Sequence, residues 1–488
     1  MNSLYADLFH ALVPETILTV SALLIIGFDL AVGRRRPLAA RQTLAVFLGA
    51  IGVVVALILG LSNGSVGSVF GGAMMFDAFA VAARAGVLVL VLLTLGVVTA
   101  APVTRQPAEY VALVLFAAVG FLQMAVAQQL LLAFLAVELA SISLYVLAGF
   151  DKTRPESAEA ALKYFLVGAI SAAFLLFGFS LIYGITGSIA FQDIAHALLY
   201  QPMSPILAVA LVMVLVAFGF KAAAAPFHLW APDAYQGAPT PSAALIASAS
   251  KLAGLALFWR LLWGGLGSVA GNFAAFRGTP GWLSIVAVIA AASLLLGNFA
   301  ALAQRNVRRL LAYSAIAHAG ALLLGLMASG QAGPGPLYYY AATYGIATAG
   351  AFGVLAVLEN SGRCQDLTDL AGLYRRSPLL SACLLVFVLS LAGIPPLAGF
   401  VGKFTVFVAA FQMGGIATPA GWLAILAILL SAVALYYYLM ILKQALVAAP
   451  AADATPVRVP AIASLTLLVA AALLVLFGLF PSVLLGWV

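Results

Sequence analysis

Stretches of about 20 apolar residues recur along the chain, and short polar or basic loops separate them. An α-helix of that length crosses the hydrocarbon core of a bilayer, which is about 30 Å thick. The pattern therefore predicts an all-α polytopic membrane protein with about fourteen transmembrane helices. The predicted spans are residues 12–32, 41–61, 79–100, 108–127, 129–149, 158–184, 205–230, 240–263, 282–303, 308–328, 336–358, 378–412, 420–446 and 461–486.

One of these spans is interrupted. Residues 214–233 read VLVAFGFKAAAAPFHLWAPD, with Lys221 inside the apolar run and Pro226 five residues later. Proline removes a helical hydrogen bond, and at membrane depth the freed carbonyl groups are tolerated only against protein or a wet cavity. The sequence therefore predicts a helix break near residues 222–228, with a charged residue beside it.

A second interrupted span lies late in the chain. Residues 387–405 read FVLSLAGIPPLAGFVGKFT, with Pro395 and Pro396 at a break predicted near residues 393–399 and Lys403 beyond it. The two interrupted spans are five spans apart, and an odd number reverses the orientation in the membrane, so the sequence predicts two inverted five-helix repeats. The predicted limits within this single membrane domain are 1–104 for helices 1–3, 105–265 for the first repeat, 280–446 for the second repeat and 460–488 for the last helix.

The composition agrees with a membrane protein. Of the 488 residues, 65% are hydrophobic and 8% are charged, whereas about a quarter of the residues in globular proteins are charged. A net charge of +7 is also found in nucleic-acid-binding proteins, but most of the basic residues here lie in short loops between spans. The positive-inside rule explains that placement. We therefore expect a lipid bilayer around the chain and no nucleic acid as a partner.

The basic loop residues also predict the topology. Loops on one side of the membrane contain fifteen of them, and the opposite loops contain two, Arg260 and Arg277. This bias predicts that both termini lie on the outer face, which is the periplasmic side of a bacterial cell (inner) membrane. The fifteen are Arg34, Arg35, Arg36, Arg41, Arg105, Lys152, Arg154, Arg305, Arg308, Arg309, Arg363, Arg375, Arg376, Lys443 and Arg458.

No motif for a cofactor or a metal ion is found in the sequence. Cys364 and Cys383 form no ligand spacing and are expected to be packing or loop residues. The sequence contains no metal-ligand set, no P-loop and no dinucleotide fingerprint. The tyrosine runs at 338–340 and 436–438 indicate either packing or an interface belt. We therefore expect no cofactor in this chain.

Seven ionisable residues are predicted to lie within spans, where an isolated charge is costly unless it functions. Glu138, in LLLAFLAVELASISLYVLAG, is either an acid that relays protons or a carboxyl group neutralised by protonation or by a serine. Lys221 and Lys251 lie too deep for their ammonium groups to reach water easily. Pairing Glu138 with Lys221 would lower the cost of burying both. The seven residues are Arg84, Glu138, Lys163, Lys221, Lys251, His318 and Lys403.

Like Glu138, three more of these positions have two interpretations. Lys163 lies four residues after Glu159, on one helix face, and belongs either to an interfacial ion pair or to the ion path. His318 is either an interior histidine with satisfied hydrogen bonds or a relay. Arg84 is either a structural residue paired with Asp77 or a functional residue, and the structural interpretation is at least as well supported.

A row of buried lysines has a characteristic chemistry. A desolvated lysine releases its proton more readily, and a nearby carboxylate restores its proton affinity. Such a row passes protons through intervening water, and the neighbouring charge controls each step. The residues therefore predict a proton pump that needs no cofactor of its own.

Several motifs are similar to those of a known family. The segments FKAAAAPFHLWAPDAYQGAPTPSAALIASASK, LLAYSAIAHAG and LSLAGIPPLAGFVGKF closely resemble the antiporter-like membrane subunits of respiratory complex I, the bacterial NADH–quinone oxidoreductase. The resemblance spans essentially the whole chain. The M type of subunit usually has glutamate where this chain has Lys403, so the resemblance favours the N type.

The resemblance implies a role for each of five residues. It implies that Glu138 is the fifth-helix acid and that Lys221 is its seventh-helix partner. Lys251 would be the connecting lysine of the eighth helix, Lys403 the exit residue of the twelfth helix and His318 a polar relay of the tenth helix. The resemblance also implies coupling to quinone reduction in other subunits, with FMN, iron–sulfur clusters and quinone held there, and it implies sister antiporter-like subunits as partners.

Three other functions are considered from the sequence. A subunit of a multi-component cation/proton antiporter shares the ancestral fold and is the main alternative. A scaffold that only packs against its neighbours does not explain four buried charges. A solitary solute carrier would need a substrate-shaped polar cluster, and none is evident beyond the row of charges.

Overall fold

Apolar α-helices follow one another through almost all of the chain. The computed structural model describes residues 8–62, 67–100, 105–272, 279–362, 364–450 and 455–488. Two basic residues from the loop count, Arg277 and Arg363, lie outside the described residues.

The elements have the following bounds. The chain begins with α1 (Val13–Ala31), α2 (Leu38–Ser62), β1 (Gly67–Val69), β2 (Met74–Phe76), α3 (Ala78–Val98), α4 (Pro107–Val126), α5 (Leu130–Ala148), α6 (Pro155–Thr186) and α7 (Phe191–Leu198). It continues with α8 (Pro205–Ala222), α9 (Trp230–Gly237), α10 (Thr240–Ala247), α11 (Ala249–Trp259), α12 (Trp282–Leu302), α13 (Val307–Ala332) and α14 (Gly335–Asn360). It ends with α15 (Leu373–Arg376), α16 (Pro378–Ala392), α17 (Ala398–Gln412), α18 (Pro419–Leu446), α19 (Ala461–Leu479) and α20 (Ser482–Leu485).

The number of spans agrees with the sequence pattern. Among the described residues, 13 helical segments are long and apolar enough to cross a membrane. One of them, Thr240–Gly265, combines α10, α11 and a π-helical turn at Arg260–Gly265. The shorter apolar helices α16 and α17 form the two halves of one further, broken span. The prediction of about fourteen transmembrane helices is confirmed.

Serine or threonine followed by proline begins three of the apolar helices. Ser204 precedes α8, Ser377 precedes α16 and Thr418 precedes α18, and each side chain accepts a hydrogen bond from the amide three residues later. Proline at the first helical position has no amide that needs a partner, and its fixed φ suits a helix. The side-chain cap satisfies one of the amides left free at the helix start.

The first predicted helix break is confirmed. α8 ends just before Ala223, which has a left-handed φ of 56°. The amide of Ala224 donates to the carbonyl oxygen of Gly219 over 2.8 Å, as at a helix C-terminus. The amide of Ala225 donates to Ser293 Oγ over 2.8 Å. A side chain from α12 therefore satisfies a backbone group that the break releases.

The second predicted break is also confirmed, and it has the same local geometry. α16 ends just before Gly393, which has a φ of 85°. The amide of Ile394 donates to the carbonyl oxygen of Leu389 over 3.0 Å. The amide of Gly399, in the first turn of α17, donates to Ser390 Oγ over 3.1 Å. A serine again satisfies the backbone close to the break.

One interruption differs from the prediction. The sequence predicts an unbroken helix over residues 240–263, but the helix is interrupted at Ser248, with φ −113° and ψ −85°. Ser248 Oγ donates to the carbonyl oxygen of Ala244 over 2.6 Å, and the amide of Ser248 donates to the same oxygen over 3.1 Å. A single serine does not change the apolar pattern, and the sequence therefore gave no sign of this break. Lys251 lies in the first turn after it.

A short hairpin packs at one end of the helices. Strands β1 and β2 pair antiparallel, and Met74 of β2 forms a further bridge with Ala127, at the end of α4. The hairpin leads directly to Asp77, whose side chain caps α3 by accepting from the amide of Ala80 over 2.8 Å. The hairpin therefore fixes the position of Asp77 at the start of a membrane helix.

Three spans form the centre of the molecule. Every residue in the most apolar stretch of α14 is buried, and α13 and the α10–α11 span are almost completely buried. α14 contacts α3, α11, α13, α16 and α17. By contrast, α2, α6 and α19 expose much of their apolar surface, as helices that face lipid or a neighbouring subunit do. Buried polar groups on the central helices are therefore shielded from the membrane.

Candidate functional site

Lys221 lies in the last turn of α8, immediately before the first break, and is buried. Its Nζ donates to Ser141 Oγ on α5 over 3.2 Å. The side chain passes close to Gly254 on α11, where an added Cβ would lie 3.1 Å from Lys221 Cγ. Because Lys251 lies one turn before Gly254, the helix that carries Lys251 packs directly against the Lys221 side chain.

Glu138 is half-buried on α5, one turn before Ser141. Both residues and Lys221 line a cavity of about 10 Å³, which is room for about one water molecule. Among the described residues, no ion pair joins Glu138 to Lys221, and the ammonium group is held by Ser141 instead. The direct pair expected from the sequence is therefore not formed in this structure, although the two residues share a cavity.

Lys251 lies on α11 and is buried. Its Nζ donates to the carbonyl oxygen of Ala315 on α13 over 2.6 Å. The same atom lies 5.3 Å from the centre of the Tyr344 ring on α14, within the range of a cation–π contact. Lys251 thus lies where α11 meets the two most central helices.

His318 is held between two tyrosine hydroxyl groups. On α13, its Nδ1 lies 2.6 Å from Tyr340 Oη and its Nε2 lies 3.0 Å from Tyr438 Oη. The Tyr438 hydroxyl also forms a hydrogen bond with Ser314 Oγ. Both ring nitrogens therefore have partners, as in the interpretation of His318 as a satisfied interior histidine. The same contacts connect α13, α14 and α18 by exchangeable protons.

Lys403 lies one turn inside α17 and is buried. Its Nζ donates to the carbonyl oxygen of Ala392 over 2.9 Å. Ala392 is the last residue of α16, so the ammonium group lies at the negative end of a half-helix dipole. Lys403 and His318 line one cavity of about 20 Å³ together with Asn298, enough for about one water molecule. On its other side, Lys403 borders an apolar groove of about 420 Å³.

Lys163 belongs to a cluster of ion pairs that is separate from the buried lysines Lys221, Lys251 and Lys403. Its Nζ lies 2.6 Å from Glu159 Oε1, as the spacing predicts, and 2.7 Å from Asp233 Oδ2. Asp233 Oδ1 also accepts from Arg309 Nη1 over 2.6 Å. The Lys163 side chain is 43% exposed. Asp233 therefore clamps the short helix α9 between α6 and α13.

The prediction that Arg84 pairs with Asp77 is wrong. Arg84 pairs with Glu15 on α1 over 2.6 Å, and both side chains are buried. Asp77 pairs instead with Arg260 over 2.6 Å. The sequence suggested Asp77 because this residue lies seven positions before Arg84, at the start of α3. The packing of the helices instead places Glu15 of α1 next to Arg84. Arg260, which was assigned to a loop, is buried in the π-helical turn.

Four residues at these contacts were not selected from the sequence. Ser293 and Asp233 meet their partners only through the packing of distant helices. Tyr340 and Tyr438 lie in the tyrosine runs, which were interpreted as packing or an interface belt. Both are buried, so the belt interpretation is wrong for them. Tyr340 and Tyr344 lie four residues apart on one face of an otherwise apolar helix, and that spacing was an available signal.

The described residues contain no group of three or more His, Cys, Asp or Glu side chains that could hold a metal ion. Glu138 and Lys221 share one small cavity, Lys251 contacts α13 and α14, and His318 and Lys403 share a second small cavity. Lysines, a histidine and small cavities are suited to the transfer of protons. The fold and these charges together define an ion-translocating polytopic membrane protein.

Comparison with known proteins identifies the family. The family model described as "NADH:quinone oxidoreductase/Mrp antiporter, TM" matches residues 127–431. A protein of Acidobacterium capsulatum named NADH-quinone oxidoreductase subunit N 2 is 50% identical over 500 residues, which cover 99% of each chain. The chain belongs to the NADH:quinone oxidoreductase/Mrp antiporter transmembrane family.

Solved structures agree with this assignment. A chain of respiratory complex I from Thermus thermophilus with bound aureothin has a TM-score of 0.78 and 34% identity, covering 97% of this chain and 98% of that one. A chain of the Mrp complex from Dietzia sp. has a TM-score of 0.80 at 21% identity, covering 98% of this chain and 96% of that one. At 21% identity, the similarity to the Mrp chain shows a shared fold alone.

Proposed function

We propose that this chain is a subunit N of NADH–quinone oxidoreductase and that it moves protons across the membrane. The observation that carries the proposal is the set of three buried lysines, Lys221, Lys251 and Lys403, each on a different helix. Each ammonium group is bound by a neutral oxygen atom, and Lys221 and Lys403 lie next to the two proline-containing helix breaks. The full-length similarity to proteins named subunit N supports the assignment to this complex.

The proposed path uses the residues in the order in which the helices bring them together. Glu138 controls the charge on Lys221, which exchanges a proton with Lys251 through water. His318 connects Lys251 to Lys403, from which the proton leaves. Lys163 and Glu159 belong to the ion-pair cluster at the opposite, inner surface.

The two breaks divide the path into two halves. We propose that residues 105–265 and 280–446 are inverted repeats, because the chain at Ala223 and at Gly393 adopts the same left-handed C-cap. Pro226 in the first repeat then corresponds to Pro396 in the second, with Pro395 beside it. Inverted repeats with sites at broken helices are a common construction of ion transporters.

The energy for transport comes from elsewhere in the complex. We propose that the partner subunits hold FMN, iron–sulfur clusters and the quinone, and that they include sister antiporter-like subunits. Quinone reduction there changes the charge at the edge of this chain. The buried residues Lys221, Lys251 and Lys403 respond by releasing and taking up protons. The proposed location is the bacterial inner membrane, with both termini on the periplasmic side.

A second candidate is a subunit of a multi-component cation/proton antiporter. The family description names such antiporters, and the Mrp chain supports the same fold. The identity of 34% to a complex I chain, against 21% to the Mrp chain, favours the redox-coupled complex. The two candidates differ in whether proton movement requires NADH and quinone or a gradient of a second cation.

The decisive experiment measures proton movement by the whole complex in proteoliposomes. Lys221→Met should abolish most NADH-driven proton uptake, whereas Lys443→Met should leave it unchanged, because Lys443 is an exposed lysine in the last turn of α18. A normal ratio of protons to electrons in Lys221→Met would contradict the proposed function. Sodium-dependent proton flux without NADH would favour the antiporter.

A further inference from the structure

The three buried lysines are held by two different kinds of group. Lys251 and Lys403 donate to backbone carbonyl oxygens, whereas Lys221 donates to the hydroxyl group of Ser141. A carbonyl oxygen can only accept hydrogen bonds, whereas a hydroxyl group both accepts and donates them. Of these three described hydrogen bonds, the bond to Ser141 is therefore the one whose acceptor can also act as a donor to its lysine.

This difference concerns the neutral form of the lysine. While Lys221 is charged, its ammonium group donates to Ser141 Oγ, over 3.2 Å in this structure. Once the proton has left, the nitrogen has a lone pair, and the serine hydroxyl group can rotate and donate to it. Lys221 is 6% exposed and Ser141 is 1% exposed, so bulk water does not take that place. Without the hydroxyl group, the buried amine would lose its hydration without compensation.

The other groups around the Lys221 ammonium group do not replace Ser141. The centre of the Phe121 ring on α4 lies 6.0 Å from Lys221 Nζ. Ser171 on α6 lines the same cavity, but its hydroxyl group donates to the carbonyl oxygen of Val167 in its own helix over 2.8 Å. Within the described part of the chain, Lys221 Nζ forms one hydrogen bond, and its partner is Ser141.

Glu138 offers Lys221 a second position, which suits the charged form. Glu138 lies three residues before Ser141 on the same face of α5, and both line the cavity with Lys221. Side chains at this spacing are neighbours, with about 5–6 Å between their Cβ atoms. A change of rotamer in the long Lys221 side chain can therefore move its nitrogen from one to the other. An ionised carboxyl group only accepts hydrogen bonds, so it favours the charged lysine.

We propose that Ser141 is a positioning residue that holds Lys221 away from Glu138 and stabilises the neutral amine after its proton has left. In that step an N–H bond of Lys221 breaks, and an O–H bond forms on a water molecule in the cavity. The electron pair of the broken bond stays on the Lys221 nitrogen and accepts from the serine hydroxyl group. Ser141 keeps its own proton and only rotates.

This inference rests on the proposed function, because Lys221 must release a proton in each cycle. Ser141 accounts for the open Glu138–Lys221 pair of this structure, since the hydroxyl group competes with the carboxyl group for the same nitrogen. Loss of the hydroxyl group should therefore move Lys221 towards Glu138 and slow the release of its proton.

The test compares three single variants of the intact complex in proteoliposomes. Ser141→Ala removes the hydroxyl group, and Ser141→Thr keeps it. Ser143→Ala is the matched control, because Ser143 is also buried on α5 but its hydroxyl group donates to Leu139 O of the same helix over 3.0 Å. We expect Ser141→Ala to slow NADH-driven proton pumping by about tenfold, the effect of one lost hydrogen bond to a charged group. Ser141→Thr and the control should stay within about threefold.

Two readouts separate this role from simple packing. Equal losses in Ser141→Ala and Ser141→Thr at matched assembly would contradict the proposal, because threonine keeps the hydroxyl group. A structure of the assembled Ser141→Ala complex gives a readout that is independent of activity. We expect Lys221 Nζ within about 4 Å of a Glu138 carboxylate oxygen, the distance of an ion pair. An unchanged position of the Lys221 side chain would overturn the proposal.

Lys221→Met, measured in parallel, distinguishes two failures. If Lys221→Met blocks pumping while Ser141→Ala pumps normally, the role of Ser141 is wrong and the proposed function stands. If Lys221→Met itself pumps normally, the proposed function is wrong.

Discussion

The ammonium groups of the three buried lysines are bound by neutral oxygen atoms. Lys221 donates to Ser141 Oγ over 3.2 Å, Lys251 to Ala315 O over 2.6 Å and Lys403 to Ala392 O over 2.9 Å. Among the described ion pairs, none includes these three lysines. Burial disfavours a charge, and neutral dipoles offset only part of that cost. A small change in nearby charge therefore decides whether each lysine keeps its proton.

Lys251→Arg tests whether this residue must release its proton. Arginine keeps its proton at any accessible pH, so it preserves the charge and prevents the transfer. We expect proton pumping by the reconstituted complex to fall at least about tenfold, as when a positioned proton-transfer group is lost. Assembly of the complex, measured on native gels, should be retained. A normal proton-to-electron ratio would count against a relay at Lys251.

The charge of Glu138 can be tested separately from its shape. Glu138→Gln removes the carboxylate that faces the Lys221 cavity, so Lys221 should hold its proton less firmly. We expect pumping and redox turnover to drop together by about tenfold or more, as when a group that controls a proton-transfer step is lost. Glu138→Asp keeps the charge and should retain much more activity. Equal activity of the two variants at matched assembly would mean that the carboxylate only fills space.

At the scale of helices, the sequence predicts both proline-containing breaks but misses the break at Ser248. Pro226 and Pro396 change the backbone through their own covalent structure, so the sequence carries the signal directly. Ser248 carries no such signal, because a serine that donates to the carbonyl oxygen four residues earlier also occurs inside an unbroken helix, at Ser143 on α5. Breaks of that kind depend on the surrounding packing.

The pair of Arg84 and Glu15 fastens α1 to α3, and it gives a prediction about stability. Glu15 also accepts from Gln123 on α4 over 3.2 Å. Arg84→Ala would leave a buried carboxylate without its cation, which costs about 3–5 kcal/mol. We expect less assembled complex and earlier thermal unfolding, with normal pumping per assembled complex. Arg84→Lys keeps a cation and should lose less. Normal assembly with lost pumping would instead assign Arg84 a part in transport.

At the scale of the whole molecule, the topology remains a prediction from loop charges. Single cysteines near Val488 and at Arg375 should react from opposite sides with a membrane-impermeant thiol reagent. We expect labelling near Val488 from the periplasmic side and labelling at Arg375 only after the membrane is opened. The native Cys364 and Cys383 are both buried, which keeps the background low. Labelling near Val488 from the inner side would reverse the assignment.

The sequence is more informative about the buried charges than about their partners. A lysine in an apolar span is visible from hydropathy alone, so Lys221, Lys251 and Lys403 are found without a structure. Their partners are a serine and two backbone carbonyl groups on other helices. Carbonyl groups occur at every residue, and only the packing selects one. The wrong partner assigned to Arg84 has the same cause.

The backbone acceptors of Lys251 and Lys403 have a consequence for genetics. Every amino acid supplies a carbonyl group, so no substitution at Ala315 or Ala392 deletes the acceptor. A selection for second-site suppressors of Lys251 or Lys403 mutants should therefore yield no charge-swapped partner and few allele-specific revertants. Arg84 and Glu15 are joined through their side chains, so we expect their reciprocal exchange to act as a suppressor. A mutation at Ala315 or Ala392 therefore cannot compensate for the loss of Lys251 or Lys403.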